Sequence, residues 1–328
     1  MSLIRLLPIF VAAAAWGAGD GYQDRAELIA RTDFAARRAP MVPDAHKKIR
    51  LIIDTDAANE IDDLWAIALA VRSPDRLQIE GFVAANFDNG HGGPTSVEQS
   101  RAAIELVLAK AGVAGRYPVY RGGAPMRYSY EPSESPGVDF IVARAMASSP
   151  ADPLWIVGLG AATDLASAYL KEPRIGDRVV FFWHGRTRWP KQCWNFNVFS
   201  DRRAATLLFA APVPFILFDT GTDLTCPMAE SAQCVAPCGE LGRYLHEFRR
   251  TNPWFMQADK GFFDLGDIAA LVDPGLGTWE ATDCPEVGPD LAYRFTGKKG
   301  RLLRCADIDR DRTFRLFYER LRAGGGVK

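Results

Sequence analysis

Long hydrophobic runs are missing from this chain, and so are a charge bias, a CxxC pair and any internal repeat. Its opening apolar stretch, in MSLIRLLPIFVAAAAWGAG, is too short for a spanning helix. With one early arginine and small residues such as Ala15 and Gly17, it has the layout of a cleaved signal peptide over 1–19. A formal net charge of −1 across 328 residues gives no pull toward nucleic acid, so the expected partner is a small molecule. Three of the six cysteines fall between Cys226 and Cys238, but TCPMAESAQCVAPCG holds no histidine, which argues against zinc. The even set Cys193, Cys226, Cys234, Cys238, Cys284 and Cys305 is compatible with disulfides outside the cytoplasm. Periplasmic or secreted location, with no stable membrane insertion after cleavage, is therefore the expectation.

Hydrophobic residues make up 48% of the chain, enough for one large core. The stretch 20–47 is charged, carries Pro40 and Pro43 and reads as a linker with one short helix; 48–328 reads as a single domain. From Lys48 onward strand-like and helix-like segments alternate: RLIID, a helix through Ala70, LQIEGFVAA, a helix through Lys110, YPVYRG, a helix near Val138–Ser148, PLWIVGL, a helix from Thr163 to Leu170, RVVFFWH, a helix near Arg202–Phe209, and VPFILFD. Such alternation predicts an α/β fold with an open, doubly wound, mainly parallel sheet whose ligand site lies at the carboxyl edge of the strands.

At the first of these edges LIIDTDAANEIDDLWAIALA places Asp54, Asp56, Asp62 and Asp63 between a strand and an amphipathic helix. These four aspartates within ten residues repel one another, and a divalent cation is the simplest way to hold them together. No thiol or imidazole stands among them, so an oxygen-ligated ion, calcium or magnesium, fits better than zinc. The plainer alternative is a solvated loop whose aspartates cap the helix.

This DTD element followed by a DD pair resembles the N-terminal signature of the inosine-uridine type nucleoside hydrolases, in a divergent DTDxxNExDD form with a spacer two residues longer. Later blocks follow in the family's order, from about Lys48 to about Val272: GLGAATDLA, WNFNVFSDRRAA and FFDLGDIAALV. The resemblance implies calcium-dependent hydrolysis of an N-ribosidic bond in a ribonucleoside or related ribosyl compound. It assigns the ion to Asp56, Asp63, the Leu159 carbonyl and Asp267, and proton removal from the attacking water to Asp62. Asn86 and Asn197 match sugar-contacting asparagines. Thr163, Asp164 and Asp201 are expected to cap the helices that follow them, and homo-oligomerisation is compatible with the family.

Two departures stand out. Asn195 replaces the family's glutamate; an amide can still bond a sugar hydroxyl but cannot act as a base. Gly266 stands where well-known members carry a histidine proposed to protonate the leaving base, which leaves His184, at the end of RVVFFWH, as a substitute from another side. Trp183, Trp189, Trp194, Phe196 and Tyr128 are candidates for stacking on a base, with His91 a further polar candidate. The departures also support a rival reading, a secreted nucleoside or sugar binding protein that keeps the metal. A phosphatase of the haloacid dehalogenase type shares only the DxD at a strand end, and the paired acids and later blocks argue against it.

Overall fold

The computed structural model describes residues 37–324. The expected leader, and the linker up to residue 36, lie outside the described residues. Eight strands form the central sheet: β1 (Ile49–Thr55), β2 (Leu77–Ala84), β3 (Val119–Arg121), β4 (Leu154–Gly158), β5 (Val179–His184), β6 (Phe215–Phe218), β7 (Gly277–Asp283) and β8 (Arg301–Ile308). Their order is β3-β2-β1-β4-β5-β6-β8-β7. All neighbours are parallel except β8 and β7, which close one edge as an antiparallel pair. The expected fold class is thus present. The β7–β8 edge follows the last segment legible as strand or helix in the sequence, where β7 alternates half-buried and exposed residues instead of running apolar.

The helices are α1 (Asp62–Val71), α2 (Ser96–Lys110), α3 (Pro136–Met146), α4 (Thr163–Lys171), α5 (Phe196–Ser200), α6 (Arg202–Ala210), α7 (Met228–Cys234), α8 (Gly239–Thr251), α9 (Phe263–Val272) and α10 (Arg310–Gly324). They cover both faces. Side chains of α1, α2, α8, α9 and α10 pack on one face and those of α3, α4 and α6 on the other. The central strands are buried on both sides, which is why LIID, LWIV and VVFFW read as unbroken apolar runs rather than alternating ones.

α1 is buried along its whole length, and α9 nearly so. Trp65 of α1 stacks on Phe317 of α10, ring centroids 4.8 Å apart, and lies 3.9 Å from the ring of Phe262 just before α9. Elements from the two ends of the domain are thereby locked together beneath the sheet's carboxyl edge.

The six cysteines are all free, five of them buried, so the disulfides that an even count allowed are not formed. Burial pushes the thiols of Cys193, Cys226, Cys238, Cys284 and Cys305 up, Cys226 and Cys284 to about 11, and keeps them protonated. No helix of the described residues is long and apolar enough to cross a membrane.

Residues 37–47 contain no helix and are fastened to the domain by Arg76, which is 1% exposed. Its guanidinium donates to the carbonyls of Pro43 (2.6 Å), Asp44 (2.6 Å) and Leu271 (2.8 Å), and also to that of Lys47. Arg76→Met keeps the volume but strands these acceptors, and is expected to cost about 2–4 kcal/mol. Urea unfolding checks this; a midpoint unchanged from wild type would remove Arg76 as the fastening.

Candidate active site

Strand ends and two helix starts build the site. Asp56 follows β1, Leu159 follows β4 and His184 ends β5, while Asp62 and Asp63 open α1 and Asp264 and Asp267 lie in the opening turns of α9. Helix N-termini favour carboxylates through the dipole and their unpaired amides. The residue preceding α9, Phe262, offers no side-chain cap. Asp62 caps it from α1: its Oδ2 accepts the amides of Phe263 at 3.0 Å and Asp264 at 3.3 Å.

The other acids are held similarly by one oxygen. The Thr55 hydroxyl donates to Asp63 Oδ1. His184 Nδ1 lies 2.7 Å from Asp267 Oδ2 and 3.3 Å from Asp264 Oδ1. Left over are Asp56 Oδ2, Asp62 Oδ1, Asp63 Oδ2 and Asp267 Oδ1, all buried with no hydrogen-bond partner. Two overlapping triads, Asp62–Asp63–Asp264 and His184–Asp264–Asp267, each bring their ligand atoms within 4.8 Å of one another.

Burial raises the carboxyls of Asp56, Asp63, Asp264 and Asp267. Asp56 is pushed up to about 7, first by burial and then by the charge of Asp62. Asp267 reaches about 6 through burial, with His184 opposing the rise. Asp63 and Asp264 are held well above the usual range by burial and by the neighbouring acids. So many orphaned oxygens and so much unbalanced negative charge fit a hard divalent cation.

The acids floor a cavity of about 300 Å³, within the range of small-molecule sites. Of the residues expected from sequence, Asp56, Asp62, Asp63, Leu159, His184, Asn195 and Asn197 line it; Asp267 lies behind His184. The Leu159 carbonyl accepts the Asn197 amide at 2.7 Å, and the same amide donates to the His184 carbonyl at 3.2 Å. Asn195 caps α5, accepting the Val198 amide at 2.8 Å.

Asn86 is not brought to the cavity. Its amide donates to the Gly123 carbonyl and the Thr163 hydroxyl, both at 2.9 Å, in a buried network behind the site. Thr163 and Asp164 belong to that network and do not cap α4 as expected: Thr163 donates to Asp201 and Asp164 accepts the Gly123 amide, both at 2.8 Å. Asp201 does cap α6.

Among the candidate stacking residues, Phe196 lines the cavity. Trp183 is core, with its indole donating to the Gly160 carbonyl at 3.0 Å; Trp189 packs on Tyr293, and Tyr128 stacks on Tyr130. The mouth instead gathers Trp254, Phe255 and Phe263, with His91 stacked on Trp254 at 6.0 Å. Sequence reasoning missed Asp264, Trp254 and Arg186. Asp264 had a signal, because it stands three residues before Asp267 on one helix face. Trp254, in the loop TNPWF, had none.

Gly266 has a steric reason. A Cβ there would lie 2.6 Å from Leu224 Cδ1 and 2.8 Å from Phe218 Cζ, so these two side chains fill the place where the family's histidine would begin.

A family model for inosine-uridine preferring nucleoside hydrolases matches residues 51–284. The chain belongs to this family. Solved structures agree in fold. A purine-preferring ribonucleoside hydrolase from Gardnerella vaginalis is 21% identical, with a TM-score of 0.67 over 85% of this chain and 100% of that one. A plant nucleoside hydrolase is 19% identical, with a TM-score of 0.65 over 84% and 100%. An inosine-uridine preferring nucleoside hydrolase from Bacillus anthracis is 14% identical, with a TM-score of 0.63 over 84% and 99%. No curated protein matches the chain by sequence. Family membership makes this nucleoside hydrolase an enzyme acting on N-glycosyl compounds and sets the phosphatase reading aside.

The raised carboxyls predict how stability depends on pH. In the unfolded chain an aspartate titrates near 4, whereas Asp56 and Asp267 hold protons in the fold up to about 7 and about 6. Their contribution is full below the unfolded value and is lost as pH rises through the folded one. Chelator-treated protein should therefore melt at progressively lower temperature from about pH 4 to about pH 7, and added calcium should restore more at the upper end. A melting temperature in chelator that climbs across this window would overturn the charge argument.

Proposed function

We propose that this hydrolase cleaves the N-ribosidic bond of a ribonucleoside, or of a related ribosyl compound, with calcium held by Asp56, Asp63, the Leu159 carbonyl and Asp267. The observation that carries the reading is the set of buried, unpartnered carboxylate oxygens on the floor of a cavity edged with amides and aromatic rings. Bound calcium supplies the missing counter-charge and lowers the pKa of a neighbouring water.

The chain's own residues do the rest. Asp62 is oriented by the two α9 amides on Oδ2, which leaves Oδ1 to take the proton of the water that attacks the anomeric carbon. Asn197, whose amide is fixed by two backbone carbonyls, presents its oxygen to a ribose hydroxyl. As the glycosidic bond breaks, positive charge develops on the sugar, and the surrounding carboxylates stabilise it. The aromatic mouth excludes water and offers ring faces to the departing base. No acid reaches that base from position 266, where Phe218 and Leu224 occupy the space. Export, with removal of residues 1–19, is part of the same proposal, and the intact mass of the mature chain reads it.

Incubating the purified protein with a nucleoside panel and following free ribose tests the reading. Asp62→Asn should lower kcat by about 10²- to 10⁴-fold while calcium stays bound. Asp63→Ala and Asp267→Ala should lose the ion by elemental analysis. If Asp56→Asn abolishes turnover with calcium retained and Asp62→Asn does not, the base is Asp56.

The missing acid gives a second expectation: a nitrophenyl riboside, whose leaving group needs no proton, should be cleaved well ahead of inosine in kcat/KM. Equal values for the two substrates would show that protonation of the base is not limiting.

A further inference from the structure

Beside the catalytic cavity lies a second hollow of about 580 Å³ that shares Arg186, Asn195 and Phe196 with it and adds Thr187, Arg188, Thr222 and the aromatic Trp194 and Phe199. Its charge is opposite to that of the acid floor. Among the described residues no carboxylate lies within 4.0 Å of the guanidinium of Arg186 or of Arg188, and no acid lines the hollow. Asp219 is bound to Arg304 at 2.8 Å and to Thr187, and Glu60, whose charge Arg186 also feels, pairs with Lys260 at 2.7 Å.

Arg186 is held in place at a cost. Its φ of 33° is in the left-handed region, which a residue with a Cβ enters only when its surroundings demand it. Its amide donates to the Phe218 carbonyl at 3.0 Å, and its guanidinium carbon sits 3.8 Å over the centre of the Phe263 ring. A guanidinium flat on a ring keeps its N–H edge for a planar or tetrahedral anion. Asn195, on the shared lip, is neutral where the family pattern has glutamate, so the charge that would repel an anion there is absent.

We infer that the hollow is an anion subsite, and that the substrate is a ribosyl compound carrying an anionic group, either a phosphate monoester on the sugar or a carboxylate on the base. The inference rests on the hydrolase reading for its chemistry but not for its binding. The reaction itself is unchanged: water adds to the anomeric carbon, the base leaves with a proton, and the anionic group is a spectator that Arg186 and Arg188 hold.

The experiment compares kcat/KM of calcium-loaded full-length protein for inosine, inosine 5′-monophosphate and orotidine. In parallel, ribose and ribose 5-phosphate are titrated by calorimetry, which needs no turnover. One anionic substrate should exceed inosine by about tenfold, with the gain shrinking as salt is raised. Arg188→Gln and Arg186→Gln should each lower the anionic-to-neutral ratio by up to about fivefold, as suits partly exposed charge contacts. A gain confined to the monophosphate places the anion on the sugar; a gain confined to orotidine places it on the base. If nothing is turned over but ribose 5-phosphate binds more tightly than ribose and Arg188→Gln erases the difference, the subsite stands and the hydrolase reading fails. Anionic substrates no better than inosine, together with equal binding of the two sugars, overturn the inference. So does an anionic preference that both arginine variants keep.

Discussion

Asp62 accepts the first two backbone amides of α9, and this junction between segments 201 residues apart is what the active site depends on. α9 begins without a cap of its own, so the carboxylate from α1 supplies one. The same contact fixes how the two helix starts face each other. Asp63 then lies across from Asp264, and Asp267 lies one turn deeper against His184. Both helices are almost wholly buried, with Trp65 wedged between Phe262 and Phe317, so the acids cannot splay apart to relieve their repulsion. Apolar packing thus holds the charges together, and burial, with the neighbouring acids, raises their carboxyls.

Asp62 has one oxygen tied to amides, Asp63 one to Thr55, and Asp267 and Asp264 one each to His184. Tying one oxygen sets the direction of the other. Asp56 is also positioned by close packing, since a Cβ at Gly160 would come within 2.7 Å of its Oδ1. A glycine is required there for the acid to lie against the β4 edge, which accounts for GLG after the strand better than turn geometry does.

Much of this was legible locally. Unbroken apolar runs mark strands buried on both faces, and a cluster of acids between strand and helix marks a ligand edge, because both signals arise from neighbours in sequence. What escaped depends on contacts between distant segments. Thr163 and Asp164 look like helix caps, yet Gly123 and Asp201 draw them into a network with Asn86. Trp183 and Phe196 read alike as apolar aromatics, and only the sheet decides that one is core and the other faces the cavity. An even cysteine count cannot reveal that all six thiols are free and five of them buried.

Phe218 ties one departure from the family pattern, Gly266, to the turn that carries Arg186. Its ring, with Leu224, fills the space above Gly266, while its carbonyl accepts the amides of Gly185 and Arg186 and holds that turn in its left-handed bend. A side chain at 266 would have to displace this ring, and moving the β6 end would release the turn that carries Arg186 over Phe263. The absence of an acid at 266 and the presence of a guanidinium at the lip are therefore parts of one packing arrangement. An acidic floor and a basic lip thus meet in one cavity, each held by packing that the other side shares.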